Sequence, residues 1–341
     1  MKRSRKILLC ISALALLLGC VLVMSAFLMI GFDFSKLDSS SMTKTERLIE
    51  GAFSDIDVTL LEQDLQILPS PDGVCRLSYY ENERFWLELT VDEGVLCIKQ
   101  HDMRDWQDYV NIVDMDEERA TLYLPEGSYG TLSVKGSSMD LTLERELSFN
   151  RLAVDTGTGN VLSYAELWEG ASIDGGSGDV HLENVIGGSV WVECSTGDIT
   201  LQHCAAEEIT LSLTSGDIEM ADVVAYKIDV ETNTGSIEIE RSTPGALTLK
   251  TTTGDIELEN VSVQGELQVQ ITSGDVSFSC LDAASLVIKL STGDVEGTLL
   301  SGKVFEASTA SGSVRVPHSD PAGGVCKITT TTGDIEIDYA K

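Results

Sequence analysis

The sequence predicts an all-β fold: a single-stranded parallel β-helix (β-solenoid) of about ten nineteen-residue coils, behind an N-terminal transmembrane helix. The first observation is a recurring phrase of small hydroxyl residue, Gly, Asp and β-branched residue. It stands at Ser177–Val180, Thr196–Ile199, Ser215–Ile218, Thr253–Ile256, Ser273–Val276, Thr292–Val295 and Thr332–Ile335. Softer copies are Thr158-Gly-Asn-Val161, Thr234-Gly-Ser-Ile237 and Ser311-Gly-Ser-Val314, and Met139-Asp140-Leu141 is a degenerate one with Met in the glycine slot. Successive glycines lie 19 to 21 residues apart, and so fixed a period marks a repeat architecture. The second observation is register. Apolar residues fall two after each glycine (Val180, Ile199, Ile218, Ile237, Ile256) and five before it (Ile173, Val192, Leu211, Val230, Leu249). That is period-2 alternation on two strands per copy. The third is the lack of a helical stretch between strands, which excludes a βαβ sheet. One such unit cannot hide its apolar face alone, but stacked units can, with rungs about 4.8 Å apart.

Taken in order, residues 1–6 form a basic cytoplasmic tail (Lys2, Arg3, Arg5, Lys6), and residues 7–30 carry no charge. Twenty-four helical residues reach about 36 Å, enough to cross a hydrocarbon core of about 30 Å. Cations before the run and Asp33 after it place the N-terminus inside and the rest outside, as a single-pass signal anchor in the cell membrane. Cleavage as a signal peptide is the competing reading, and Leu17-Leu-Gly-Cys20 leaves a lipidated Cys20 open. The apolar run continues to Ile30, which favours the uncleaved anchor. Residues 31–45 are a small polar tether. Residues 46–135 read as an irregular β cap region, with an acidic excursion at 100–118 whose Trp106 and Tyr109 are either a cap or a partner contact. Residues 136–341 are the β-solenoid repeat array.

With 23 Lys and Arg against 55 Asp and Glu, the net charge is −32. Such a polyanion is repelled by nucleic acid and anionic lipid and attracts cations and basic partners. At each corner, Gly permits positive φ, and the neighbouring Asp is expected to bond backbone N–H groups of its own turn. Asp179, Asp198, Asp217, Asp255, Asp275, Asp294 and Asp334 should therefore stack in one column. Cation uptake by that column stays open, but no GGxGxD turns support a specific metal site. Cys194, Cys204 and Cys326 fall in core columns; whether Cys75 and Cys97 form a bridge is open, and no CxxC points to zinc. His101, His181, His203 and His318 are scattered, and no Ser-His-Asp or Cys-His set is visible. No catalytic, cofactor-binding or metal residue is assigned, and the chain reads as non-enzymatic. Outward hydroxyl and amide ladders (Thr248, Lys250, Thr252; Gln268, Gln270, Thr272) read as solvated strand positions, with Trp191 as the aromatic on that face. The last coil, Ile335 to Tyr339, is expected to be an open edge inviting self-association.

The run of (T/S)-G-(D/S/N)-(I/V) phrases, preceded by Leu122-Tyr-Leu-Pro-Glu-Gly127, resembles the bacterial putative-adhesin family of β-strand-repeat domains, a domain of unknown function. The resemblance spans Glu46 to Tyr339. It implies a membrane-anchored extracellular domain of a Gram-positive bacterium and brings no catalytic residues. Two functions follow from it. One is a non-enzymatic surface scaffold or adhesin-like binding module. The other is an accessory or sensor component of a cell-envelope stress-response system, similar to some family members, which with so short a cytoplasmic tail would need a membrane partner.

Overall fold

The computed structural model describes residues 42–104 and 119–340, together with 16–19, 21, 24 and 25. Two compact units are distinguished: 1–44 with 80–86 and 101–117, and 45–79 with 87–100 and 118–341. In the small unit, Trp86 stacks on His101 with ring centroids 5.0 Å apart, and the Arg104 guanidinium lies over the Phe85 ring at 4.4 Å.

The large unit is a parallel β-solenoid of about 11 turns. Long strands such as Ala205–Ser215, Val224–Thr234 and Thr243–Thr253 pair in one sheet, and short strands such as Ile218–Ala221, Ile237–Glu240 and Ile256–Glu259 pair in a second. Equivalent residues sit on one another, as Ile209, Ile228, Leu247, Leu267 and Leu286 do. Each of these five is buried, as are the paired Ile218, Ile237 and Ile256 of the short-strand sheet. The alternation read from the sequence thus becomes a single apolar core. Where one rung overfills its slot the next gives way: a Cβ at Gly297 would lie 2.3 Å from the Phe278 ring, its register partner. Three residues of Arg76–Glu81 pair antiparallel with Arg119–Leu124, the exception to the parallel ladder among the described pairings.

Each turn has two sharp corners. At the first, the glycines run from φ +121° (Gly159) to +149° (Gly312), where a side chain is strained. Space is missing as well: a Cβ on Gly235 would lie 1.8 Å from the carbonyl oxygen of Gly216 on the neighbouring coil. Six residues later comes a second left-handed position, filled by Asn184, His203, Asp222, Arg241, Asn260 and Cys280 at φ 46° to 63°. Their varied identities hide this column from any motif.

At both ends the stacking order departs from the chain order. Asp55–Leu60 lies between Val95–Asp102 and Ser128–Ser138, and Asp64–Pro69 between Arg119–Leu124 and Leu141–Leu143. Likewise Gly324–Thr332 lies between Val276–Thr292 and Lys303–Ser311, and Ile335–Tyr339 between Val295–Leu299 and Val314–Arg315. The expected open edge at Ile335 to Tyr339 is thus corrected in part: Ile335 and Glu336 are covered by Val314 and Arg315, while Ile337–Tyr339 pair only with the inner strand Val295–Leu299. The final coil is covered on both sides along Gly324–Thr332 and at Ile335–Glu336, and the strands Lys303–Ser311 and Val314–Arg315 stand outside it. The physical reason is the connection at 316–323, which carries the chain back by one rung. The array also holds one turn more than about ten, because the Met139 copy completes a full rung.

Among the described residues no helix is long and apolar enough to cross a membrane. The expected transmembrane helix is thus not supported by the described fold; most of residues 7–30, and the excursion residues Trp106 and Tyr109, lie outside the described residues.

The corner geometry predicts that Gly235→Ala lowers stability by about 2 kcal/mol or more in a urea melt, since strain and a backbone clash act together. Gly127→Ala, with nothing within 4 Å of its Cβ and no positive φ, should stay within about 0.5 kcal/mol of the parent.

Candidate functional site

The corner column is a relay between coils. The Asp198 N–H donates to Asp179 Oδ1 (2.9 Å), Asp217 to Asp198 (2.8 Å), Ser236 to Asp217 (2.7 Å) and Asp255 to Ser236 Oγ (3.4 Å). Asp275, Asp294 and Asp334 continue it at 2.8, 2.7 and 2.6 Å, and Ser313 ends it on Asp334 at 2.6 Å. Toward the N-terminus it runs through Asp179, Asn160 and Asp140 to Asp64. The side chains therefore brace the next coil, not their own turn as the phrase alone suggested. Each carboxylate meets an N–H dipole, which offsets repulsion down the column. The Ser313 N–H and hydroxyl hold the Asp334 carboxyl below its ordinary value. Among the described residues no group of three or more His, Cys, Asp or Glu is placed to hold a metal ion.

An ion-pair ladder flanks the second corner. Arg145 Nη2 lies 2.6 Å from Glu183 Oε2, and His203 Nδ1 lies 3.5 Å from Glu183 Oε1. His203 Nε2 is 3.9 Å from Asp222 Oδ2, and Arg241 Nε is 3.1 Å from Asp222 Oδ1. Hydrogen bonding from Arg241 holds Asp222 below the usual carboxylate range. The imidazole thus stands between carboxylates of two neighbouring coils. On the outer face of the short-strand sheet, Glu219, Glu238 and Glu257 are register partners. Burial and the neighbouring Glu240 and Glu257 raise the Glu238 carboxyl.

One surface stands apart because it exposes several large apolar side chains. Tyr226 is 83% exposed, Val224 54%, Trp168 48% and Ile186 40%. Ile186, Val224 and Tyr226 line a shallow depression of about 530 Å³ with Gly188, Ala205 and Gly245. Its floor is backbone, because coils approach too closely there for side chains. A Cβ on Gly188 would lie 2.1 Å from Glu169 O, and one on Gly245 would lie 2.4 Å from Tyr226 O. Glu169, Glu207 and Glu208 are exposed in the same segments, giving the shelf acidic neighbours. Sequence reasoning missed this site because Val224 and Tyr226 take outward positions at the start of a long strand, where outward residues read as solvated, while Ile186 lies in the bend ahead of Ser189–Thr196. The available signal was Gly187-Gly188 with an outward Tyr226 two coils further on.

The anticipated residues scatter. Trp191 is 37% exposed on the long-strand sheet, paired in register with Ser172 and Thr210. His181 packs obliquely on Tyr164 at 5.1 Å, and burial lowers its pKa. The six described cysteines are free, so Cys75 and Cys97 are not bridged. Burial pushes the Cys194 and Cys204 thiols up to about 11 and Cys326 to about 12, which makes them poor nucleophiles.

These features define a class: a parallel β-solenoid whose candidate working surface is an outward face. The chain belongs to the Toastrack DUF4097 family, whose profile matches residues 53–190, 187–279 and 247–341. This bears out the resemblance to a domain of unknown function. Among solved structures it is similar to a putative adhesin from Bacteroides fragilis at 13% identity, over 89% of this chain and 99% of that one, with a TM-score of 0.34. It is similar to a putative cell adhesion protein from Clostridium sporogenes at 11%, over 88% and 100%, with a TM-score of 0.19. A putative lipid binding protein from Parabacteroides distasonis is similar at 15%, over 87% and 97%, with a TM-score of 0.34. No curated protein matches the chain.

The relay predicts that Asp217→Ala costs about 0.5–1 kcal/mol in a urea melt, through the unmade Ser236 N–H bond. Asp217→Asn should be close to neutral, as the natural Asn160 in the same slot indicates. Because the folded-state pKa of Asp334 is lowered, its contribution is in place above the ordinary carboxylate pKa and is lost as pH falls through the lowered value. Acid titration of stability should therefore be flatter for Asp334→Asn, which keeps an acceptor without a proton to gain.

Proposed function

We propose that the chain is a non-enzymatic, membrane-anchored extracellular scaffold that binds a partner on the shelf around Tyr226. The observation that carries this reading is Tyr226 itself, a large aromatic 83% exposed on a ladder-braced frame. A solvent-exposed aromatic beside Val224 and Ile186 gains contact area at low entropic cost when a partner covers it, as aromatic anchors at interfaces do. The exposed carboxylates of Glu169 and Glu207 and the net charge of −32 favour a partner whose apolar surface is flanked by Lys or Arg. The uncharged run at 7–30, with cations before it, supports a single-pass anchor that leaves the solenoid outside. A role as accessory or sensor in an envelope-stress system is the alternative, acting through a membrane partner.

The test uses the full chain in Gram-positive cells, with a photo-crosslinking amino acid at Tyr226 and, as control, at Lys250. A membrane-impermeant amine reagent should label the protein on intact cells, and a discrete adduct should form from position 226 and not from 250. Labelling only after lysis would overturn the surface placement. Equal adducts at both positions, or none at 226, would overturn the shelf.

A further inference from the structure

The coil that ends the chain is not the coil that ends the stack. Gly324–Thr332 is paired on both sides, as are Ile335 and Glu336 of the strand that follows: Cys326 registers with Leu286 and Phe305, and Ile335 with Val295 and Val314. The corner relay passes through it from Asp294 to Asp334 to Ser313. The Gly293 N–H donates to Thr332 O, and the Gly333 N–H to Ser311 O, both at 2.9 Å.

The slot is shaped for this occupant. A Cβ on Gly324 would lie 1.7 Å from Ala284 O, and one on Gly333 would lie 1.9 Å from Gly293 O. Lys303 of the outer coil is the register partner of Gly324, and its Nζ reaches Asp282 Oδ1 at 3.0 Å, at the head of the coil on the other side of the insert. Lys303 is only 3% exposed, so this pair clasps the outer coil to the body around the insert. The segment joining the two coils, 316–323, is different in kind. Its stretch from His318 to Ala322 is exposed and holds Pro321, and Pro317 precedes it.

We propose that the C-terminal coil, Gly324–Tyr339, is an exchangeable insert, and that its slot accepts the same coil from a second copy of this chain in a reciprocally exchanged dimer. The slot selects an extended strand with alternating apolar residues and a Thr-Gly-Asp corner, and an identical coil meets every one of those demands. Each ladder, glycine fit and relay bond of the insert is the same whether it comes from its own chain or another. The balance between the two arrangements is therefore set by the connector and by concentration. This inference stands apart from the Tyr226 shelf, and neither depends on the other.

Ser308 and Thr329 are exposed register partners on the outer coil and the insert. In the full chain, Ser308→Cys with Thr329→Cys should, after oxidation, form a bridge within one chain at low concentration. As concentration rises, a covalently linked species of twofold mass should replace it on a non-reducing gel, and neither single substitution should give it. Deleting 318–320 should lower the concentration needed for the dimer at least tenfold, because the shortened connector cannot carry the chain back one rung. The proposal is overturned if the bridge stays within one chain, and the mass never doubles, at every concentration tested. Should the deletion fail to fold, the double-cysteine full chain decides alone.

Discussion

The structure depends on the contact between one corner glycine and the carbonyl of the corner above or below it. Equivalent residues on neighbouring coils sit so close there that a Cβ would approach the next backbone to within 1.8 to 2.2 Å. Glycine alone fits, in a backbone region that penalises side chains. The same closeness brings each corner N–H within 2.6 to 2.9 Å of the Asp or Asn oxygen of its neighbour at most rungs. Sequence pattern, local conformation and inter-coil bonding thus meet at a single residue pair. The column also explains how seven carboxylates stand in file: each has a donor, so none is left to face its neighbours bare.

The array was legible to the extent that its period is strict. Ile199, Ile218, Ile237 and Ile256 recur at nineteen residues and are all buried, and Met139 did fill a glycine slot. What the period could not carry was stacking order. A repeat says which residues are equivalent, not which copies touch, so Gly333 following Gly312 implied an open last coil where the chain instead folds back. The left-handed positions at His203, Arg241 and Cys280 were invisible for another reason: backbone conformation is imposed there by the bends on either side, and the residue types do not announce it. The Tyr226 shelf escaped because Val224 and Tyr226 stand at outward strand positions, which the alternation marks only as facing solvent, and Ile186 comes from a bend a period cannot describe.

Function enters through what the frame leaves uncovered. The ion pairs of Arg145, Glu183, His203, Asp222 and Arg241 are absorbed in bracing coils, and the buried thiols are too weakly acidic to react readily. Hydroxyls and amides on the long strands face solvent as ordinary sheet residues do. The apolar shelf has no structural task of that kind, since Tyr226 and Val224 stabilise nothing by standing in water.

The inverted ends place Asp55–Leu60 and Gly324–Thr332 between two strands each, so that each is released only when the strand outside it opens. This places the central claim, register-matched coils with Gly-Asp corners in single file, within reach of one observation. A crystal structure of residues 40–341 should show Asp334 lying between Asp294 and Ser313, its Oδ1 accepting from the Ser313 N–H. Electron density that sets the corners apart among antiparallel hairpins, or puts Ser313 directly on Asp294 with Asp334 outermost, would contradict the account.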